Sequence, residues 1–135
     1  MTLQEVGQKI KLNKDRFTSD ELVFLRLLYE HNQHYMPAGV VCALAELNHR
    51  TSINERQLRG EDGLRATTSK KLFDLTGWKI VSKTSFPSGY KMTDNQSEWK
   101  EAERQIASHA TSELHATRHF ARPSLPELDF EGGTV

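Results

Sequence analysis

The stretch Thr67–Asp94, TTSKKLFDLTGWKIVSKTSFPSGYKMTD, permits few folds, because it places a short basic helix directly before a two-stranded hairpin. Thr67 and Thr68 are residue types that accept bonds from free backbone N–H groups at a helix start. Leu72 and Leu75 share one helical face, and Gly77 supplies a left-handed stop. The spacing predicts a helix over 67–76. Beyond it, Trp78 and Ile80 alternate with Lys79 and Val81, Phe86-Pro87-Ser88-Gly89 carries turn chemistry, and Tyr90 and Met92 alternate back out. A hairpin with a basic stem is expected over 79–92.

The preceding chain reads as helices. Residues 1–17 are weakly patterned and are expected to form an N-terminal arm. Thr18 and Glu21 offer a capping box before the dense apolar run Leu22, Val23, Phe24, Leu25, Leu27, Leu28 and Tyr29, a helix apolar enough to be central to a core or an interface. Pro37 suits the first turn of a second helix, with Val40, Val41, Leu44, Ala45 and Leu47, ending near Asn48. Ser52-Ile53-Asn54-Glu55 reads as another capping box, starting a short helix with Arg56, Leu58 and Arg59 that Gly60 ends; Glu61-Asp62-Gly63 makes the turn and Leu64 packs inward. After the hairpin, Asn95 and Glu98 signal a long helix with the stripe Trp99, Ala102, Ile106, Ala110 and Leu114, stopped by Pro123. The expected divisions are therefore an arm at 1–17, a domain at 18–94, a helix at 95–122 and a flexible acidic tail at 123–135.

The chain carries 18 basic and 18 acidic residues, but unevenly. Between Arg50 and Lys91 lie nine basic residues and four acidic ones, so the remainder holds nine basic and fourteen acidic. Such asymmetry points to a polyanion partner even where the sum is zero; lysines solvating the outside of a small domain are the alternative. The 135 residues suit one domain with appended elements. A single cysteine, Cys42, excludes an intramolecular disulfide framework and zinc-type cysteine spacing. With neither a signal-like apolar N-terminus nor a membrane-length run, the expectation is a soluble cytoplasmic protein.

From about Pro37 to Arg122 the chain resembles the small winged helix-turn-helix proteins of phages and prophages. The matching residues are Leu72, Leu75, Gly77-Trp78-Lys79-Ile80, Val81-Ser82, Gly89-Tyr90-Lys91-Met92 and Glu98-Trp99. The resemblance implies a mainly α fold with a small β-hairpin wing, here with an added N-terminal helix and a long C-terminal helix. It also implies double-stranded DNA binding, as a replication accessory or transcriptional regulator in a bacterial host cytoplasm. Two departures stand against phosphate: the acidic turn Glu61-Asp62-Gly63, and Asp74 on the exposed side of the supposed recognition helix.

A helix entering the major groove needs short polar residues and long donors at its N-terminal end, where the dipole is positive and base edges come first. Thr67, Thr68, Ser69, Lys70 and Lys71 meet that need. Arg65, just before the helix as drawn, offers a planar bidentate fork and is expected to make the strongest contact. In the wing Lys83, Thr84, Ser85 and Ser88 face backbone or an adjacent groove, with Lys79 and Lys91 on the stem, while Arg56 and Arg59 clamp phosphate. Phe86, at the tip, wedges at DNA, folds back on the hairpin or meets a protein.

Other chemistry finds little support. His115 and His119 are four apart on a predicted helix, yet Ala116-Thr117-Arg118 between them supplies no general base, and no cofactor or metal site is expected. Cys42 sits in an apolar helical stretch, and no nucleophile elbow or phosphate loop is present, so an enzyme is not expected. The tail holds Leu125, Leu128 and Phe130 among Glu127, Asp129 and Glu131. That pattern is similar to the short peptides with which bacterial replication factors bind the sliding clamp, with Leu125 where a Gln would stand; a partner-docking role is expected, with a generic docking tail or an inert terminus as the alternatives. A homodimer is expected, built on the Leu22–Tyr29 segment and the C-terminal helix. The competing function is a phage-encoded adaptor or inhibitor acting on a host protein. Convergence of Arg65, Lys70, Lys71 and Lys83 on one face favours DNA; scatter favours the adaptor.

Overall fold

The computed structural model describes residues 1–85 and 87–104. Phe86 at the wing tip, the C-terminal helix beyond 104 with His115 and His119, and the docking motif Leu125, Leu128 and Phe130 lie outside the described residues.

Five helices precede the hairpin. Residues 1–17, expected as an arm, instead contain α1 (Leu3–Leu12) and a 3-10 turn (Lys14–Arg16). Thr2 and Glu5 form a reciprocal capping box for α1, and Val6 is fully buried in the core. The apolar residues of α1, namely Leu3, Val6 and Ile10, are spaced by three and four, and tertiary burial gives that thin stripe its stability. The α2 helix (Ser19–Glu30) starts at the Thr18–Glu21 box and buries Phe24, Leu25, Leu27 and Leu28 within this one chain. The segment expected at a dimer interface is therefore the centre of the monomer core.

The α3 helix (Ala38–His49) follows Pro37, and Arg50 caps it in the left-handed region at φ 50°. The short α4 (Glu55–Leu58) is capped by Asn54 and Gln57 rather than by Ser52 and Glu55: the Asn54 side chain accepts from the Gln57 N–H, and the Gln57 side chain accepts from the Asn54 N–H. Gly60 lies beyond the helix end, with φ 90°. The α5 helix (Leu64–Thr76) has Gly63 as its N-cap, four residues before the first of the threonines expected to cap it, and stops at Gly77 with φ 80°.

Strands β1 (Lys79–Lys83) and β2 (Gly89–Thr93) pair antiparallel, with Lys79 opposite Thr93 and Lys83 opposite Gly89. Met36 adds a bridge to Tyr90, through mutual backbone bonds of 2.8 Å. Alternation gives this ribbon two unlike faces. Ile80, Tyr90 and Met92 enter the core with Leu58 and Leu72. On the other face stand Lys79, Val81, Lys83, Lys91 and Thr93, of which Val81 and Thr93 are also buried. Against Thr93 on that face lie the helical residues 96–104, whose Glu98 accepts from the Thr93 hydroxyl and whose Trp99 indole donates to the Thr93 carbonyl; Asn95 starts them by accepting bonds from the Ser97 and Glu98 N–H groups. The architecture is thus mainly helical with a small antiparallel wing, the wing covered on both faces. No helix among the described residues is long and apolar enough to cross a membrane.

Candidate nucleic-acid interface

The α5 helix carries many of the expected contacts, and packing decides where they point. Thr68 and Ser69 lie four and three residues before Leu72, and Arg65 one turn earlier, so all share the inner face with that buried leucine. Thr68 is fully buried, with no hydrogen-bond partner for its hydroxyl among the described residues. Ser69 Oγ accepts a 2.9 Å bond from the Ile80 N–H, joining helix to hairpin. Arg65 is not an exposed fork before the helix: its guanidinium donates to the Ile80 carbonyl at 3.1 Å, beside Tyr90. Burial lowers the Arg65 pKa against the opposing pull of Tyr90, and burial raises that of Tyr90 itself. Ser69 and Arg65, both bonded to Ile80, fasten α5 to the wing.

Thr67 and Lys71 lie on the side of α5 that meets α2, and both bind Glu21. The Lys71 ammonium stands 2.7 Å from one carboxylate oxygen, and the Thr67 hydroxyl donates to the other at 3.0 Å. The Thr18 N–H completes the set at 2.8 Å. Burial pushes the Glu21 carboxyl up, but these bonds outweigh it and hold its pKa below the ordinary carboxylate value. Lys71 also lies 5.9 Å above the Phe17 ring.

The wing stem is likewise engaged. Lys79 sits between two rings, 5.2 Å from Phe73 and 4.6 Å from Trp99, which are themselves edge to face. Lys83 pairs with Glu101 at 3.5 Å and covers Tyr35 at 4.9 Å, leaving 11% of its side chain exposed. Lys91 pairs with Glu98 at 3.1 Å and covers the same ring at 5.3 Å. Glu98 also accepts from Tyr35 at 3.0 Å and Thr93 at 2.7 Å, while the Trp99 indole donates to the Thr93 carbonyl. Against the upward push of burial, these donors hold the Glu98 pKa low; burial and the two glutamates raise that of Tyr35. Glu98-Trp99 was visible in the sequence as a helix start, but its role in covering the lysines was not.

Of the candidates, Arg56, Arg59, Lys70, Thr84 and Ser85 are exposed, together with Ser88. Among the described residues Arg56, Arg59 and Lys70 make no ion pair. Arg56 and Arg59 line a cleft of about 750 Å³ that they share with Gly63, Leu64, Thr67 and Lys71 at the first turns of α5. No side chain caps that helix start. Glu61 and Asp62 line the same cleft, and Asp74 is exposed on α5, so both acidic departures remain on the surface. Of Arg65, Lys70, Lys71 and Lys83, three are held by partners within the fold, Lys71 with 38% of its side chain still exposed, and Lys70 is exposed with no ion pair among the described residues. Comparison with protein families, with curated proteins and with solved structures finds no match to this chain.

Proposed function

We propose that this chain binds double-stranded DNA through the α4–α5 unit and the tip of the wing, in phage-type replication or transcriptional control. The observation that carries the reading is the exposed trio Arg56, Arg59 and Lys70 on a short helix, turn and longer helix that run directly into a hairpin. In this reading Arg56 and Arg59 hold phosphate at the uncapped start of α5, where oriented N–H groups favour an anion. Lys70, on the outer face of α5, is the base-reaching donor. Thr84 and Ser85 at the wing tip meet backbone. Arg65, Thr68, Ser69, Lys79 and Lys91 then act as scaffold rather than as contacts. A duplex library with sequencing of the bound fraction tests this, alongside the double variant Arg56→Glu, Lys70→Glu. Enrichment of a motif by the native chain, lost in the variant, supports the reading; no retention of any duplex at low salt overturns it.

A second reading has its own support. The acids that pair Lys71, Lys83 and Lys91 come from outside the basic segment, and the exposed surface of α4, α5 and their turn carries Glu55, Glu61, Asp62 and Asp74 beside three cations. Such a surface suits a host protein better than it suits a polyanion, and exposed Phe73 on α5 adds an apolar anchor. Cross-linking in host extract, with and without nuclease treatment, separates the two: nuclease-resistant capture of a single host protein, with no duplex retained, favours the adaptor.

A further inference from the structure

The α3 helix is apolar on two sides. Its inner side holds Val41 and Ala45, both fully buried. On its outer side Val40, Ala43, Leu44 and Leu47 follow the i, i+3, i+4, i+7 spacing of a single stripe. Leu47 is 75% exposed and Val40 43% exposed, Ala43 is exposed and Leu44 half-buried. The stripe carries no charge, and the small Gly39 and Ala43 allow another helix to approach closely.

An acid stands at one end, and at the other an arginine one helical turn beyond the exposed Glu46. At the N-terminal end the Glu55 carboxylate reaches the first turn, 3.7 Å from where a side chain on Gly39 would begin. At the C-terminal end stands Arg50, exposed and capping the helix. We propose that the outer face of α3 is a self-association surface, on which a second copy of this chain packs its own α3 antiparallel about a two-fold axis. An axis of that kind preserves the flank and reverses the direction, so Arg50 of one copy meets Glu55 of the other, twice. Parallel packing about a two-fold axis would leave Arg50 and Glu55 at opposite ends of the seam and unpaired. The helix is 12 residues, roughly 18 Å long, so the shared area falls below that of permanent dimers. The dimer is accordingly weak and forms only at high protein concentration. This inference does not depend on DNA binding.

Sedimentation velocity on the full chain, from about 1 to 300 μM, tests it. The native chain is expected to move from monomer to dimer over that range, and Leu47→Glu, at an exposed site, to remain monomeric with an unchanged far-ultraviolet circular dichroism spectrum. Arg50→Glu or Glu55→Arg alone should weaken the dimer at least fivefold, and the two together should restore it. A native chain that stays monomeric at 300 μM overturns the proposal. So does a dimer that Leu47→Glu leaves intact, and charge variants without effect overturn the antiparallel arrangement.

Discussion

At the scale of single residues, three glutamates, Glu21, Glu98 and Glu101, pair lysines of the basic segment. Glu21 is 3% exposed and Lys71 38% exposed, so this is a partly buried pair in which losing one partner strands the other. Lys71→Met should lower stability by about 1–2 kcal/mol, because the carboxylate keeps the Thr18 and Thr67 donors but loses its counter-charge. Urea unfolding at pH 7 checks it. The carboxyl is more acidic folded than its ordinary value of 4.5. Its contribution is therefore complete above pH 4.5 and is lost as pH falls through the lower folded value. Glu98 follows the same sign. Glu21→Gln should lower the urea midpoint at pH 7 and flatten its fall below pH 4.5; an unchanged acid limb would show that the Glu21 pairing adds nothing. At Lys83, where expected function gives way to packing, Lys83→Ala should cost about 1 kcal/mol through lost cover of Tyr35 and the Glu101 pair, while changing duplex affinity less than Lys70→Ala does. Equal losses of affinity from the two variants would return Lys83 to the contact surface.

At the scale of elements, boundaries carried more consequence than element types. The hairpin follows its sequence pattern, since alternation and turn chemistry are local. Gly89 closes it at φ 126°, with the Met36 carbonyl oxygen 2.2 Å from where a Cβ would sit. Gly89→Ala should cost about 3 kcal/mol or more, from strain and backbone collision together, read as a fall in thermal midpoint. The α5 start escaped the sequence because Gly63 has no capping side chain, whereas the threonines at 67 and 68 look like caps. Thr68 and Ser69 are core rather than contacts because they lie one turn before Leu72 on the face that packs inward. The α1 helix was missed for a different reason: its apolar positions are few, and its burial depends on elements distant in sequence. Val6→Ala should cost about 2 kcal/mol, measured by chemical denaturation, which a solvated arm would not register.

At the scale of the whole molecule, the uneven charge of the sequence is largely consumed inside the fold. Acids at 21, 98 and 101 neutralise lysines of the basic segment, and the long-range count of free cations falls accordingly. If Arg56 and Arg59 are the phosphate contacts, log affinity for duplex should fall with log salt at a slope of about −2. A slope near −5, measured from 50 to 200 mM salt, would mean that the paired lysines open onto DNA. The sequence by itself determined the mainly helical course, the capped start of α2, the stop at Gly77 and the hairpin with its inward Ile80, Tyr90 and Met92, because each depends on residues within a turn or a strand. Only the tertiary structure decided which cations are available. Lys71 meets Glu21 across 50 residues of chain, and Tyr35 meets Glu98 across 63. A residue's charge is written in the sequence, but its partner and its exposure are set by packing between segments that local patterning does not connect.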